Sequence, residues 1–229
     1  MKKMLILLFL MFITGCNIDY NATIYHNKKV REECKFTEEN DFILKYNEDI
    51  SLSLNSKIDS YKQYFSSYKF MKKINKDNSY VLMKKINQNL DEFKTTTILN
   101  QLYEQIIIEE NNNQFSFKFL NLVDDVSNNP DPNFHMDDIR IKIRLHNKVI
   151  ESNADNVDEK KNTLEWIITQ TDKEKNMFFK LDHKKRYDII LIDMFLFNKD
   201  TIIPICITLI IILSVLFYFY LRYKKNTSI

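Results

Sequence analysis

Ile139-Arg140-Ile141-Lys142-Ile143-Arg144-Leu145 alternates an aliphatic residue with a cation. Successive side chains of a strand point to opposite faces, so this stretch reads as a strand with one face in a core and the other in water. Such alternation is typical of antiparallel sheets that are solvated on one side.

The same period extends from it in both directions. Upstream, Phe115, Phe117 and Phe119 share one face while Ser116 and Lys118 take the other. Asn111-Asn112-Asn113 separates residues 114–119 from residues 106–109 and suits a turn. Farther upstream, Tyr20, Ala22 and Ile24 alternate with polar residues, as do Val30, Cys34 and Phe36, and Asn27-Lys28-Lys29 between them completes a hairpin. Residues 79–86, 164–169 and 177–181 give further strand signals, and residues 189–197 read as a last strand or as a membrane-proximal stem. The period changes at Ile58, Tyr61, Phe65, Tyr68 and Met71, which lie three or four apart and predict an amphipathic helix over residues 55–74. A shorter helix is expected near residues 90–103. The sum is an α+β domain, a largely antiparallel β-sheet with one or two packed helices, plus a single C-terminal transmembrane helix.

That last helix is predicted over residues 201–221, which hold no charge and are rich in Ile, Leu, Phe and Tyr. At about 1.5 Å per residue such a helix matches the hydrocarbon thickness of about 30 Å. Arg222, Lys224 and Lys225 follow at once, so positive-inside reasoning places the basic tail, residues 222–229, in the cytoplasm. At the other end, Lys2 and Lys3 precede an apolar run and then Ile13-Thr14-Gly15-Cys16, the layout of a secretion signal over residues 1–15. This segment resembles the lipobox of bacterial lipoproteins, which implies cleavage before Cys16 and a lipid thioether on it. Both anchors put residues 16–198 on the extracytoplasmic side of the cell membrane.

Composition narrows the function. All 31 acidic residues but only 28 of the 33 basic ones lie between Asn17 and Asp200, so the middle carries −3. That balance gives no footprint for nucleic acid and no polybasic lipid-surface patch. The single glycine is Gly15, so the domain must make its positive-φ turns with Asn and Asp. Of three cysteines, Cys16 is assigned to lipid and Cys206 to the membrane. Cys34 is left on an alternating strand, where a buried, inert thiol is expected.

Val149-Ile150-Glu151-Ser152-Asn153-Ala154-Asp155-Asn156-Val157-Asp158, followed by Asn162-Thr163-Leu164-Glu165-Trp166, resembles the bacterial LppM-like lipoprotein domain. The hairpin after Cys16, with Lys29-Val30-Arg31-Glu32, fits it too. Members often have glycine before the Trp strand; here Glu159-Lys160-Lys161-Asn162 stands there, with Asn162 able to take the positive φ. The resemblance implies a non-catalytic domain that binds lipid or glycolipid, with no active site to transfer. In physical terms, Asn153 and Asp155 can accept from backbone N–H groups and set the register of the Trp166 strand. Trp166 itself buries a large ring whose N–H needs a partner.

No catalytic residue, metal ligand or cofactor is assigned. His26, His135, His146 and His183 are scattered without metal-ligand spacing. Asp124-Asp125 and Asp137-Asp138 frame the Pro130/Pro132 loop and could hold calcium, though such pairs more often form a solvated loop. The expected partners are membrane lipid through the two anchors, and a lipid, lipid-linked glycan or envelope protein as ligand. The alternatives are a structural or accessory subunit of an envelope complex and, behind it, an enzyme of envelope metabolism.

Overall fold

A computed structural model describes residues 17–46, 49–111, 113–123, 139–169, 172, 174–197, 207–208 and 210–217. The expected signal (1–15), Cys16, His135, Cys206, the loop aspartates Asp124, Asp125, Asp137 and Asp138, and the tail 222–229 lie outside the described residues. The chain divides into two units, Met1–Arg186 and Tyr187–Ile229.

The first unit opens with the expected hairpin. Strand β1 (Asn17–Ile24) pairs antiparallel with β2 (Val30–Glu39), with Ile24 opposite Val30. Lys28, rather than one of the expected Asn or Asp residues, takes a positive φ of 66° in the turn between them. Helix α1 (Asn40–Tyr46) and helix α2 (Ile50–Tyr64) follow. Asp49 caps α2 by accepting the Leu52 amide at 2.8 Å, satisfying a donor that the first turn leaves unpaired.

The helix predicted over residues 55–74 is therefore displaced and shortened. Its apolar spacing holds through Tyr61 and into Phe65, the residue that ends it. Lys69–Ile74 instead forms β3 and pairs with β4 (Asn78–Asn87) across a tight connection. A hairpin partner so close in sequence satisfies the backbone as well as a helix would, and Met71 ends up exposed. The helix predicted near 90–103 also breaks. Helix α3 (Leu90–Thr96) stops where Thr97 turns extended, a 3₁₀ turn runs Ile98–Gln101, and Tyr103 already belongs to β5.

Strands β5 (Tyr103–Asn111) and β6 (Gln114–Leu122) form the predicted hairpin. Next come β7 (Ile139–Leu145), β8 (Asn147–Ser152), β9 (Asn156–Asp158), β10 (Thr163–Ile168) and β11 (Met177–Lys185). They form a seven-stranded sheet, ordered β3-β4-β2-β1-β7-β10-β9, and a four-stranded one, ordered β5-β6-β11-β8. Pairing is antiparallel apart from β1 with β7, which run parallel with Ile18 opposite Ile139. The α+β class and the largely antiparallel character stand.

One core joins the two sheets and the helices. Ile139, Ile141, Ile143 and Leu145 are all buried, as the alternation required, together with Phe117, Phe119 and Phe179 of the smaller sheet and Leu54, Tyr61 and Phe93 of the helices. The Phe117 and Phe179 rings stack at 4.6 Å. The phenylalanine-rich strands thus spend their aromatic face on ordinary core packing.

In the second unit, Tyr187–Phe197 forms α4, so the strand alternative for residues 189–197 is overturned. Its run of apolar residues lacks the two-residue period a half-buried strand needs. Of the span predicted at 201–221, residues 207–208 and 210–217 are described, all helical. Among the described residues no helix is long and apolar enough to cross a membrane.

Candidate functional site

Strands β8 and β9 are the outermost members of the two sheets, and Asn153-Ala154-Asp155 carries the chain from one to the other. This is the segment singled out in the sequence. Asn153 Oδ1 accepts the Trp166 indole N–H at 3.0 Å and the Phe178 amide at 2.7 Å. One oxygen therefore ties β10 of the large sheet to β11 of the small one. Asp155 Oδ2 accepts the Ile167 amide and the Lys175 ammonium, each at 2.7 Å. Lys175 also donates to the Ile167 carbonyl at 2.6 Å. The partners are not the nearby backbone groups expected of a tight turn: they are the distant Phe178 and Ile167 amides and the Trp166 and Lys175 side chains, three of them on β10 or β11. Trp166 is fully buried.

Asp172 completes this end. Its Oδ2 accepts from the Thr169 amide at 2.8 Å and from the Thr169 hydroxyl at 2.9 Å. The hydrogen bond from the Thr169 amide, aided by the hydroxyl and Lys175, holds its carboxyl below the usual range against the opposing effect of burial. Tyr103 is buried on β5, and burial, reinforced by Asp172 and Asp155, pushes its phenol above the ordinary value. Its hydroxyl has no hydrogen-bond partner among the described residues.

Beside the crossing lies a groove of about 380 Å³, walled by Lys148, Ile150 and Glu151 of β8 and by Val157, Glu159 and Arg186 opposite. Ile150 and Val157 are each about half exposed. Arg186 reaches the Glu159 carbonyl at 3.5 Å, and Glu151 pairs with Lys180 at 2.9 Å. Asn162 supports the floor. It adopts φ 50°, as its place before the Trp strand required, and its Nδ2 donates to the Leu145 and Asn147 carbonyls at 2.7 and 2.8 Å. The groove offers both charge signs, exposed aliphatic carbons and two strand edges. It suits a ligand with polar and apolar parts. Sequence reading missed it because it arises where strands distant in pairing order meet.

An apolar cleft lined by Ile18, Cys34, Phe36, Leu99 and Ile139 has a volume of only about 30 Å³, room for roughly one water molecule. Cys34 is buried as expected, and burial raises its thiol far from the reactive range.

A second constellation also escaped notice. Glu32 lies on the inward parity of β2, between Val30 and Cys34, and is fully buried. Its Oε2 accepts from Tyr20 at 2.9 Å, Tyr68 at 3.1 Å and Thr97 at 2.6 Å, and its Oε1 accepts from Asn87. Burial and then the Glu32 carboxylate push the Tyr20 and Tyr68 phenols well above their ordinary value. A carboxylate at an inward position of an alternating strand was the available signal. With its acceptor sites occupied by donors of its own fold, the cluster reads as a structural network.

The histidines are not wholly scattered. The rings of His26 and His146 stack at 5.9 Å with Tyr25 edge-on to His146 at 4.9 Å, an aromatic contact rather than a ligand set. Among the described residues no group of His, Cys, Asp or Glu is arranged to hold a metal ion.

No family model matches the sequence, and no curated protein matches it. Among solved structures the chain is similar to the NMR structure of the folded domain of Mycobacterium tuberculosis LppM. The identity is 11%, the match covers 76% of this chain and 94% of that one, and the TM-score is 0.48. That likeness transfers no residue role and no ligand to this chain.

Proposed function

We propose that this chain is a membrane-held, extracytoplasmic, non-catalytic binding domain whose ligand enters the groove between β8 and β9. The groove itself carries the reading. It combines about 380 Å³ of space with two cations, Lys148 and Arg186, and the exposed aliphatic residues Ile150 and Val157. Ligand sites commonly pair apolar walls with a few placed polar groups. The tether rests on the sequence, on the lipobox-like Cys16 and the uncharged span 201–221.

The small volume of the apolar cleft favours a ligand recognised by its polar portion, such as the head of a lipid-linked glycan, over one swallowed by its acyl chain. Native mass spectrometry of the full chain extracted from membranes tests this. A bound mass that survives delipidation and is lost in a Lys148→Glu/Arg186→Glu variant supports the groove. An identical adduct pattern in both proteins, or none in either, refutes it. A second reading is favoured by the two strand edges at the groove, which suit an extended segment of an envelope protein. Under that reading a stoichiometric protein partner co-purifies and is lost in the same variant.

A further inference from the structure

The seven-stranded sheet turns one face to the core, and register fixes what the other presents. On β3 and β4 the outward cations are Lys69, Lys73 and Lys84. On β2 they are Arg31 and Lys35. On β7 they are Arg140, Lys142 and Arg144, in line with β1 and β10. The acids on the same face are Asp19, Glu33, Glu39, Glu165 and Asp158, which the cations outnumber. Glu33 already pairs with Arg31 and Lys84, Glu165 with Lys142 at 3.2 Å, and Asp158 with Lys161 at 3.5 Å. Lys69, Lys73 and Arg140 are exposed. A mildly acidic domain thus carries a locally basic face, with Met71 and Ile86 exposed among the charges. The composition concealed this, because the compensating acids lie elsewhere.

The position of the face gives its partner. Cys16 directly precedes Asn17, the first residue of β1, which sits in the middle of this sheet. A lipid on Cys16 therefore holds the sheet at the bilayer with no intervening linker. We propose that the outward face of the seven-stranded sheet docks on an anionic membrane surface, so that the tethered domain lies on the bilayer. This rests on the membrane tether proposed above, though not on the groove. Each Lys or Arg near an anionic surface contributes about 1 kcal/mol, a factor of about five, and the attraction decays within a Debye length.

The test reconstitutes the full chain into nanodiscs of phosphatidylcholine alone or mixed with phosphatidylglycerol and measures amine labelling of individual lysines. Entry into both discs reports the tether. On the anionic discs at low salt, labelling of Lys69 and Lys73 is expected to fall about fivefold or more. Lys118 and Lys180, which lie on the small sheet, should be unchanged. Raised salt, or the double variant Lys73→Glu/Arg140→Glu, should restore Lys69 labelling. Equal labelling in the two discs overturns the proposal alone, as does protection given by a soluble polyanion but not by anionic lipid. Failure to enter either disc overturns the tether and this proposal with it.

Discussion

The indole nitrogen of Trp166 and the side-chain oxygen of Asn153 lie 3.0 Å apart, and that oxygen also takes the Phe178 amide at 2.7 Å. Two donors from different sheets converge on one acceptor, so a single side-chain oxygen bridges them.

Replacing Asn153 with Ala leaves both donors without their acceptor, and should cost about 2–3 kcal/mol of unfolding free energy. Asn153→Asp keeps the acceptor and should lose less. Trp166 is the only tryptophan, so its fluorescence reports the transition directly. Equal midpoints for wild type and Asn153→Ala would show that the seam is held elsewhere.

Asn162 combines a positive φ with two bonds to carbonyls. Asn162→Gly keeps the backbone freedom and loses the bonds, whereas Asn162→Ala loses both. The expected order of stability is wild type, then Gly, then Ala, with the Ala variant about 1 kcal/mol below Gly from backbone strain alone. Denaturant midpoints measure it, and an Ala variant as stable as the Gly one would contradict the backbone argument.

Tyr103 supplies a pH test. Its folded-state phenol is raised above the ordinary value near 10, so the unfolded chain releases that proton first. The stability it contributes is present below pH 10 and is lost as pH rises from there through the folded value. Tyr103→Phe should flatten the alkaline loss by up to about 1.4 kcal/mol per pH unit. At neutral pH the variant should be at least as stable as wild type, because the hydroxyl it removes is buried and makes no hydrogen bond among the described residues. An unchanged alkaline slope would refute the assignment.

Glu32 gathers four donors without a cation among them. Glu32→Leu strands Tyr20, Tyr68, Thr97 and Asn87 together and should destabilise by about 3 kcal/mol or more. Glu32→Gln keeps an acceptor and should cost less. A Leu variant as stable as wild type would mean that the network selects one packing without strengthening it.

Alternating strands were legible because burial enforces their period: Ile139 to Leu145 and Phe115 to Phe119 came out as read. The positive φ of Asn162 was legible only through the family's glycine at that place, and for Trp166 the need for an indole partner was legible but not that Asn153 supplies it. Helix ends were not. The spacing of Tyr68 and Met71 fits a helix, yet Lys69–Ile74 pairs with β4, a tertiary choice that periodicity does not encode. The groove, the Glu32 cluster and the basic face depend on which strands become neighbours, and alternation alone is silent about strand order.

The parallel seam between β1 and β7 has a consequence for how the molecule is made. β2 can close one side of β1 as soon as it is synthesised, but the other side must wait for Ile139 and its neighbours. Until then the half-finished sheet shows a naked border that other nascent chains could join. Under the tether proposed above, an early lipid on Cys16 would pin that border against the bilayer, so the order of maturation steps would guard against aggregation.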